Sequence, residues 1–278
     1  MTRLPVFQTV RAAYGFVLSH PGDLLRIALW PALIAVAAWT FIDWWASEGH
    51  SSSIGVVTNI VYAWFAFFWH RRVLIGAEAA RLSTLSRLQG ESGFGQSKWF
   101  NRFLMRAILY GLLIFLLVGL PAGIAMFALL GESGLDENTA LLAILAIVFG
   151  LYYLLSPFFL RFALMFPAIA VGGEAGWNQA WQLSAGNSWR LANVFALSFL
   201  LYVPLFLLLF AVASHLPALG VVSWVISNCL AALVSFPITA LQVTCLSLAY
   251  KELAPDQYRT ALADYHGEAA EAAGAVPG

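Results

Sequence analysis

Four polar side chains recur along the last long apolar run of the sequence, at about residues 220–249. They are Asn228, Ser235, Thr239 and Gln242, and their spacing places them in one stripe of a 3.6-residue helix. If the stripe faced acyl chains, its amide and hydroxyl groups would be left unpaired, at a cost of several kcal/mol. We therefore expect it to face protein, either in interhelical hydrogen bonds or as the lining of a polar cavity.

A second apolar run, at about residues 54–75, carries a similar stripe with Asn59 and His70 separated by alanines. The two stripes could meet across a helix interface. A dry, tightly packed interface would make them structural, whereas a cavity between them would suit the transport of a small molecule or a lipid. Both readings stay open on the sequence.

Arg161 is the most unusual single residue, because apolar sequence lies on both sides of it. A helix that begins near Thr139 would carry Arg161 to the headgroup region of a membrane. In a deeper helix Arg161 would be buried, with no Asp or Glu available within any span to neutralise it, and this favours the headgroup position. Residues 162–172, broken by Pro167, would then fold back along the interface. We expect a lipid phosphate to be the partner of Arg161, and we assign the same lipid contact to Arg190, which opens the next apolar run.

Patterns typical of catalysis are missing from the sequence. It has no His-Glu-x-x-His helix, no Cys and His cluster with metal spacing, no Gly-x-Ser-x-Gly turn and no phosphate-binding glycine loop. Cys229 and Cys245 lie sixteen residues apart on one predicted helix, about 24 Å along its axis, and cannot bridge each other. We expect no catalytic residue, no metal site, no cofactor and no enzyme activity.

Composition shows which elements must position these residues. The chain is 61% apolar and only 10% charged, against about 25% charged residues in a soluble domain. Six apolar runs are near or above the roughly 20 residues needed to cross a hydrocarbon core of about 30 Å. The predicted fold is an all-α polytopic membrane protein, with one domain over 1–253 and transmembrane helices at 24–46, 54–75, 103–130, 139–161, 190–213 and 220–249.

The distribution of positive charge predicts the orientation. All 14 Lys and Arg residues can be placed on one side of the membrane, and the connections 47–53, 131–138 and 214–219 contain none. By the positive-inside rule, both termini are then cytoplasmic. The basic inner face would favour anionic lipid headgroups, at about 1 kcal/mol per residue near the surface. No feature indicates a nucleic-acid partner.

Shorter segments flank the predicted spans. Residues 6–17 and 177–184 have amphipathic patterns, so we expect helices in the headgroup plane before the first and fifth spans. Arg81 and Arg87 lie in a looser, glycine-containing segment between the second and third spans. Residues 254–278 are rich in Ala, Gly and acidic side chains, and we expect a mobile cytoplasmic tail there.

One region resembles known membrane families. The sequence RFALMFPAIAV at residues 161–171 is followed by Ala180, Leu183-Ser184, Gly186-Asn187 and Trp189-Arg190. This pattern resembles one in bacterial six-helix inner-membrane proteins similar to the YciC group and to the membrane domain of glycerophosphodiester phosphodiesterases, over about residues 156–200. The resemblance implies a bacterial inner membrane and a role related to lipids or the envelope. It transfers no catalytic residue.

These observations predict a non-enzymatic integral inner-membrane protein. We expect an accessory or scaffold module in envelope or lipid homeostasis or in a membrane complex, with membrane lipids and a membrane protein as partners. The alternative is a small transporter or lipid translocator, with its cavity between the second and sixth predicted spans. A cavity along the two polar stripes would favour this alternative.

Overall fold

The computed structural model describes residues 3–48, 55–80, 95–132, 137–173, 176–200, 202–214 and 220–274. Within these ranges the chain is helical and contains no strand. The helices are α1 (Val6–Ser19), α2 (Pro21–Ser47), α3 (Gly55–Leu74), α4 (Gly95–Ile114), α5 (Leu120–Glu132), α6 (Glu137–Ala163), α7 (Met165–Ala170), α8 (Trp177–Leu183), α9 (Ser188–Leu200), α10 (Val203–Ser214), α11 (Val221–Leu253) and α12 (Pro255–Gly274). A π-helical turn at Phe115–Gly119 joins α4 to α5.

The helices have the length and composition of membrane spans, as the all-α polytopic prediction requires. Among the described residues, five stretches qualify: Pro21–Ser47, Trp99–Ala125, Ala146–Ala170, Ser188–Leu205 and Val221–Leu253. The predicted span at 54–75 is α3, a 20-residue helix that ends with Arg71 and Arg72 in its last turn. The fold class is therefore confirmed.

Three helices form the centre of the bundle: α2, α3 and α11 pack against one another. The buried side chains there include Phe65, Trp69 and Leu241. Helix α6 packs on α5 and α9, while α4 contacts α3 and α7. Apolar side chains cover much of the outer surface, including Leu33, Phe127 and Leu208, as expected where the surrounding solvent is lipid.

Helix α1 packs onto α9 and α11 through one face. Its buried residues are Thr9, Val10, Ala13 and Val17. Phe7 and Leu18 are exposed on the opposite side, at 77% and 75%. The Tyr14 hydroxyl donates to the Ser198 carbonyl at 2.9 Å, and burial raises the pKa of Tyr14 well above its usual value. The amphipathic pattern thus ties α1 to the bundle and leaves apolar groups exposed on its other face.

Residues 162–172 do not fold back along an interface, so that prediction is wrong. Helix α6 continues to Ala163, and α7 follows as a short buried helix packed against α3 and α4. All side chains of α7 are apolar and buried. Its last carbonyl, that of Ala170, accepts a hydrogen bond from Arg71 at 2.8 Å. A fully apolar segment whose backbone has a partner gains more inside the bundle than in the polar headgroup region.

The carboxyl end and the fifth span add detail to the prediction. The tail expected from residue 254 forms a helix, α12, as far as Gly274, and its mobility stays a prediction. Pro255 suits the first helical position and the many alanines favour a helix. The predicted span 190–213 is divided into α9 and α10, since Pro204 in the first turn of α10 cannot donate to the preceding helix. Arg81 and Arg87 lie outside the described residues.

Candidate functional site

A cavity of about 400 Å³ lies among α3, α4, α6 and α11. Most of its wall is apolar, with Ala63, Ala66, Phe103, Phe166 and Leu246 among the lining residues. Its polar lining groups are Asn59, Tyr62, His70, Tyr110, Tyr152, Thr239 and Gln242. This combination of an apolar wall and a few polar groups is typical of sites that bind small molecules.

The structure brings together four of the six residues of the two predicted polar stripes. Asn59 and His70 on α3 line the cavity with Thr239 and Gln242 on α11. Asn59 and His70 are eleven residues apart, about 16 Å along the helix. The cavity thus extends along about half of the thickness of a hydrocarbon core.

The other two stripe residues lie elsewhere. The Asn228 side-chain amide donates to the Asp43 carboxylate at 2.8 Å and to the Thr40 hydroxyl at 3.3 Å, both on α2. The Ser235 hydroxyl donates to the Ala232 carbonyl in its own helix, at 3.4 Å. The stripe is about 21 Å long, so its two ends face different neighbours. The end at Asn228 bonds to α2, and the end at Thr239 and Gln242 lines the cavity.

Two hydrogen bonds that sequence reasoning missed join α3 to α11 near the base of the cavity. The Trp69 indole N–H donates to the Thr244 hydroxyl at 2.8 Å, and the His70 Nδ1 lies 2.7 Å from the Ser247 hydroxyl. All four side chains are buried. Thr244 and Ser247 are three residues apart and share a helical face. That spacing can be read from the sequence, but Thr244 and Ser247 lie outside the stripe that begins at Asn228.

The cavity lining carries no ionised group among the residues that the structure describes. Its polar groups are amides, hydroxyls and the His70 imidazole, and no Asp, Glu, Lys or Arg lines it. A charged ligand would therefore find no counter-charge in the wall. In a medium of low dielectric constant, such a charge is costly unless it is paired.

Several residues that line the cavity are exposed, and Asn59 on α3 is one of them. Ile108, Gly111 and Leu112 on α4, with Tyr152 on α6, are exposed and line it. A Cβ added to Gly111 would meet nothing within 4 Å. The cavity is thus accessible beside this face of α4, where the surrounding exposed side chains are apolar.

The described Lys and Arg residues gather at the opposite end of α2 from Ser47, and several anchor helix ends. Arg72 forms an ion pair with Asp23, with 2.6 Å between Nη2 and Oδ2. Arg71 belongs to the basic residues counted on the predicted cytoplasmic side, and it is 1% exposed. It donates to the Ala79 carbonyl at 3.1 Å and to the Ala170 carbonyl at 2.8 Å. We call this region the basic end of the bundle.

Arg161 and Arg190, the predicted lipid-contact residues, have protein partners at the basic end. Arg161 donates to the Ser184 hydroxyl at 3.1 Å and to the Trp181 carbonyl at 2.9 Å, and its guanidinium carbon lies 3.3 Å from the centre of the Trp181 ring. Arg190 donates to the Leu4 carbonyl at 3.0 Å. These contacts give both residues a structural role, and their contact with lipid phosphate stays a prediction.

The residues that carry the family resemblance therefore fasten helix ends. The Asn187 side-chain oxygen accepts from the Leu4 backbone N–H at 2.9 Å, beside the Arg190 contact. Together with the contacts of Arg161, these bonds join the end of α6, the turn after α8 and the segment before α1. The residues of the motif between 161 and 190 join helix ends, and none of them is among the polar residues that line the cavity.

Comparison with known proteins gives no relative: no family model, curated protein or solved structure matches the chain. The resemblance over residues 156–200 consequently stays a prediction. Among the described residues, no group of three or more His, Cys, Asp or Glu side chains could hold a metal ion. Cys229 and Cys245 are both free, as their predicted separation requires.

Proposed function

We propose that the protein binds a lipid-like molecule in the cavity among α3, α4, α6 and α11 and moves it within the membrane. This is the small transporter or lipid translocator that the sequence offered as an alternative. One observation supports it above the others: uncharged polar groups on α3 and α11 line an otherwise apolar cavity. The proposed activity is transport without covalent chemistry.

The polar groups that line the cavity need a solvation partner. Polar groups in an apolar cavity need a partner, and water or a polar headgroup can supply one. An amphiphile satisfies both kinds of surface, because its head bonds the amides and hydroxyls while its chain covers the apolar wall. At about 400 Å³ the cavity is within the range of small-molecule sites.

Irregular backbone lies at the end of the α4 wall of the cavity. The π-helical turn at Phe115–Gly119 follows directly after Ile114, which lines the cavity. Pro121 in the next turn removes a further helical hydrogen bond. Such turns within α-helices are often found at functional sites. We infer that this part of the α4–α5 unit moves when a ligand enters.

The proposed setting is a bacterial inner membrane, with the basic end and both termini in the cytoplasm. The charge distribution of the sequence supports this orientation through the positive-inside rule. Arg3, Arg11 and Lys251 are exposed at the basic end and would attract anionic headgroups. The orientation is tested by introducing one cysteine at position 259 or at position 48. The measurement is whether each cysteine is labelled from outside intact cells.

Two glycines provide a matched test of the cavity. Gly111 lines the cavity, whereas Gly150 on α6 does not, and a Cβ at either position would meet nothing within 4 Å. We expect Gly111→Trp to occupy the cavity and Gly150→Trp to leave it open. After gentle extraction, mass spectrometry should find a lipid retained by the wild-type protein and by Gly150→Trp, but lost from Gly111→Trp.

Transport is measured with the same three proteins in vesicles. A fluorescent single-chain lipid in the inner leaflet becomes accessible to a membrane-impermeant quencher only after translocation. We expect rapid loss of protection with wild-type and Gly150→Trp protein, and slow loss with Gly111→Trp. Equal lipid retention and equal translocation by all three would refute the proposal.

A role as an accessory module in a membrane complex is the second candidate, and one surface favours it. Phe7 and Leu18 are exposed on α1, beside the exposed Arg11. Deleting residues 3–20 would remove the packing of α1 on α9 and α11, so surface variants are the better probe. Phe7→Gln with Leu18→Gln should abolish recovery of a cross-linked partner, while Gln8→Ala should not. Unchanged recovery would remove this candidate.

A further inference from the structure

We infer that the cavity takes a neutral, single-chain amphiphile whose headgroup donates a hydrogen bond to Nε2 of His70. This inference rests on the proposed function, because it names the ligand class of the same cavity. It follows from the absence of charge in the lining, from the direction of one hydrogen bond and from the volume of the cavity.

The charge of the ligand follows from the wall. The lining residues that the structure describes are all uncharged. The nearest cations along α3 are already engaged, because Arg71 donates to backbone carbonyls and Arg72 pairs with Asp23. An ionised headgroup would enter a site of low dielectric constant without a counter-ion. A neutral headgroup avoids that penalty.

The hydrogen-bond direction at His70 follows from Ser247. The Val243 carbonyl lies 2.9 Å from the Ser247 hydroxyl and can take its single hydrogen, which leaves the hydroxyl oxygen to accept in its 2.7 Å contact with His70 Nδ1. On this arrangement we assign the proton to Nδ1 of His70. In the neutral ring Nε2 is then a hydrogen-bond acceptor.

Nε2 of His70 is the ring nitrogen that is left to bond a ligand. His70 is 1% exposed and lines the cavity, and the only hydrogen bond of its ring within the described residues is the one to Ser247. An acceptor that meets no donor in an apolar wall is unfavourable. A ligand hydroxyl at this position would supply the missing donor, whereas an ether or ester oxygen would not.

The volume suits a ligand with one chain. At about 400 Å³, the cavity is near the lower end of the roughly 300–1,000 Å³ typical of small-molecule sites. Such a site has room for one alkyl chain with a small headgroup.

A series of twelve-carbon ligands tests the inference. Dodecanol offers a hydroxyl donor, dodecyl methyl ether only an acceptor, dodecanoate a negative charge and dodecylammonium a positive charge. Each is added to the protein in lipid nanodiscs, and the bound fraction is measured by native mass spectrometry, with Gly111→Trp as the background. We expect wild-type protein to retain dodecanol about five- to tenfold more than the ether, the margin of one hydrogen bond, and more than either ion.

His70→Phe removes the acceptor and should bring the ratio of alcohol to ether close to one. If that variant does not fold, the wild-type series decides alone. Equal retention of alcohol and ether, or preference for either ion, would overturn the headgroup inference while the cavity still binds. If no ligand exceeds the Gly111→Trp background, the proposed function itself fails.

Discussion

The buried bond between Trp69 and Thr244 should stabilise the contact of α3 with α11 that forms the base of the cavity. Thr244→Val removes the hydroxyl and nearly preserves the volume of the side chain. The Thr244 hydroxyl accepts from Trp69 at 2.8 Å and donates to the Ala240 carbonyl at 2.7 Å. Thr244 and Trp69 are both 0% exposed, so the indole N–H would lose its partner in a dry site.

The magnitude follows from that unpaired donor. A buried polar group left without a partner costs about 1–3 kcal/mol in proteins, and interhelical bonds within membranes contribute about 0.6–2 kcal/mol. The variant should therefore lose about 1–2 kcal/mol of unfolding free energy. The carbonyl of Ala240 keeps its helical hydrogen bond, so losing the second bond to it should add little.

Unfolding in mixed micelles by added dodecyl sulfate measures this loss through tryptophan fluorescence. Thr260→Val is the matched control, because Thr260 is exposed on α12 and its hydroxyl also donates to a carbonyl four residues earlier, that of Asp256. We expect no resolvable change for the control. A double-mutant cycle with Trp69→Phe should give a coupling of about 1 kcal/mol.

Unfolding of Thr244→Val at the same detergent fraction as Thr260→Val would refute the stabilising role of the Trp69–Thr244 bond. A coupling near zero in the cycle would also refute it, because Trp69 and Thr244 would then act independently. Loss of dodecanol retention by Thr244→Val, with unfolding unchanged, would instead show that the bond sets the position of α3 and contributes little to stability.

Three further predictions concern the basic end and one turn. Asp23→Asn should cost about 1–2 kcal/mol in thermal unfolding, because Arg72 is 13% exposed and would lose its counter-charge. Tyr258→Phe should increase hydrogen exchange over α12 about tenfold, since it removes the 2.7 Å bond from the hydroxyl to the Leu74 carbonyl. Gly172→Ala should lower the melting temperature by several degrees, because its φ is +90° and the new Cβ would lie 3.0 Å from Trp99.

The ion-pair and glycine predictions each have a matched control. Arg259→Gln breaks an exposed pair with a separation of 3.9 Å and should leave unfolding unchanged. Gly220→Ala meets the same backbone restriction as Gly172→Ala, at φ +60°, but has nothing within 4 Å. It should therefore cost less. An equal loss of melting temperature for the two glycine variants would show that the Trp99 side chain can move aside at no energetic cost. Unchanged hydrogen exchange in Tyr258→Phe would show that α12 is held by other contacts.

The helical, membrane-spanning class was predictable because it depends on composition and the length of apolar runs. The cavity residues Asn59, His70, Thr239 and Gln242 were also predictable, since a polar residue in an apolar helix must face protein or water. Periodicity could not show which neighbour each end of a stripe meets. Asn228 consequently turned out to bind Asp43 and to lie away from the cavity.

Arg71 and α7 show a different limit. Charge counting assigned Arg71 a side of the membrane but not its burial; its guanidinium is buried and donates to the Ala170 carbonyl at the end of α7. The sequence of α7 is apolar throughout, so hydropathy could not distinguish an interfacial segment from a core segment. That distinction depends on whether the bundle leaves a space between α3 and α4, which is a property of the whole assembly.

The two walls of the cavity differ in how firmly they are held, and this difference has a consequence for ligand entry. The α3–α11 wall has buried hydrogen bonds at Trp69 and His70. The α4 wall is extended by the π-helical turn at Phe115–Gly119 and by Pro121. Local opening favours elements with fewer buried bonds. A ligand should therefore enter by displacing α4, and Pro121→Ala should slow entry without changing the preference for alcohol over ether.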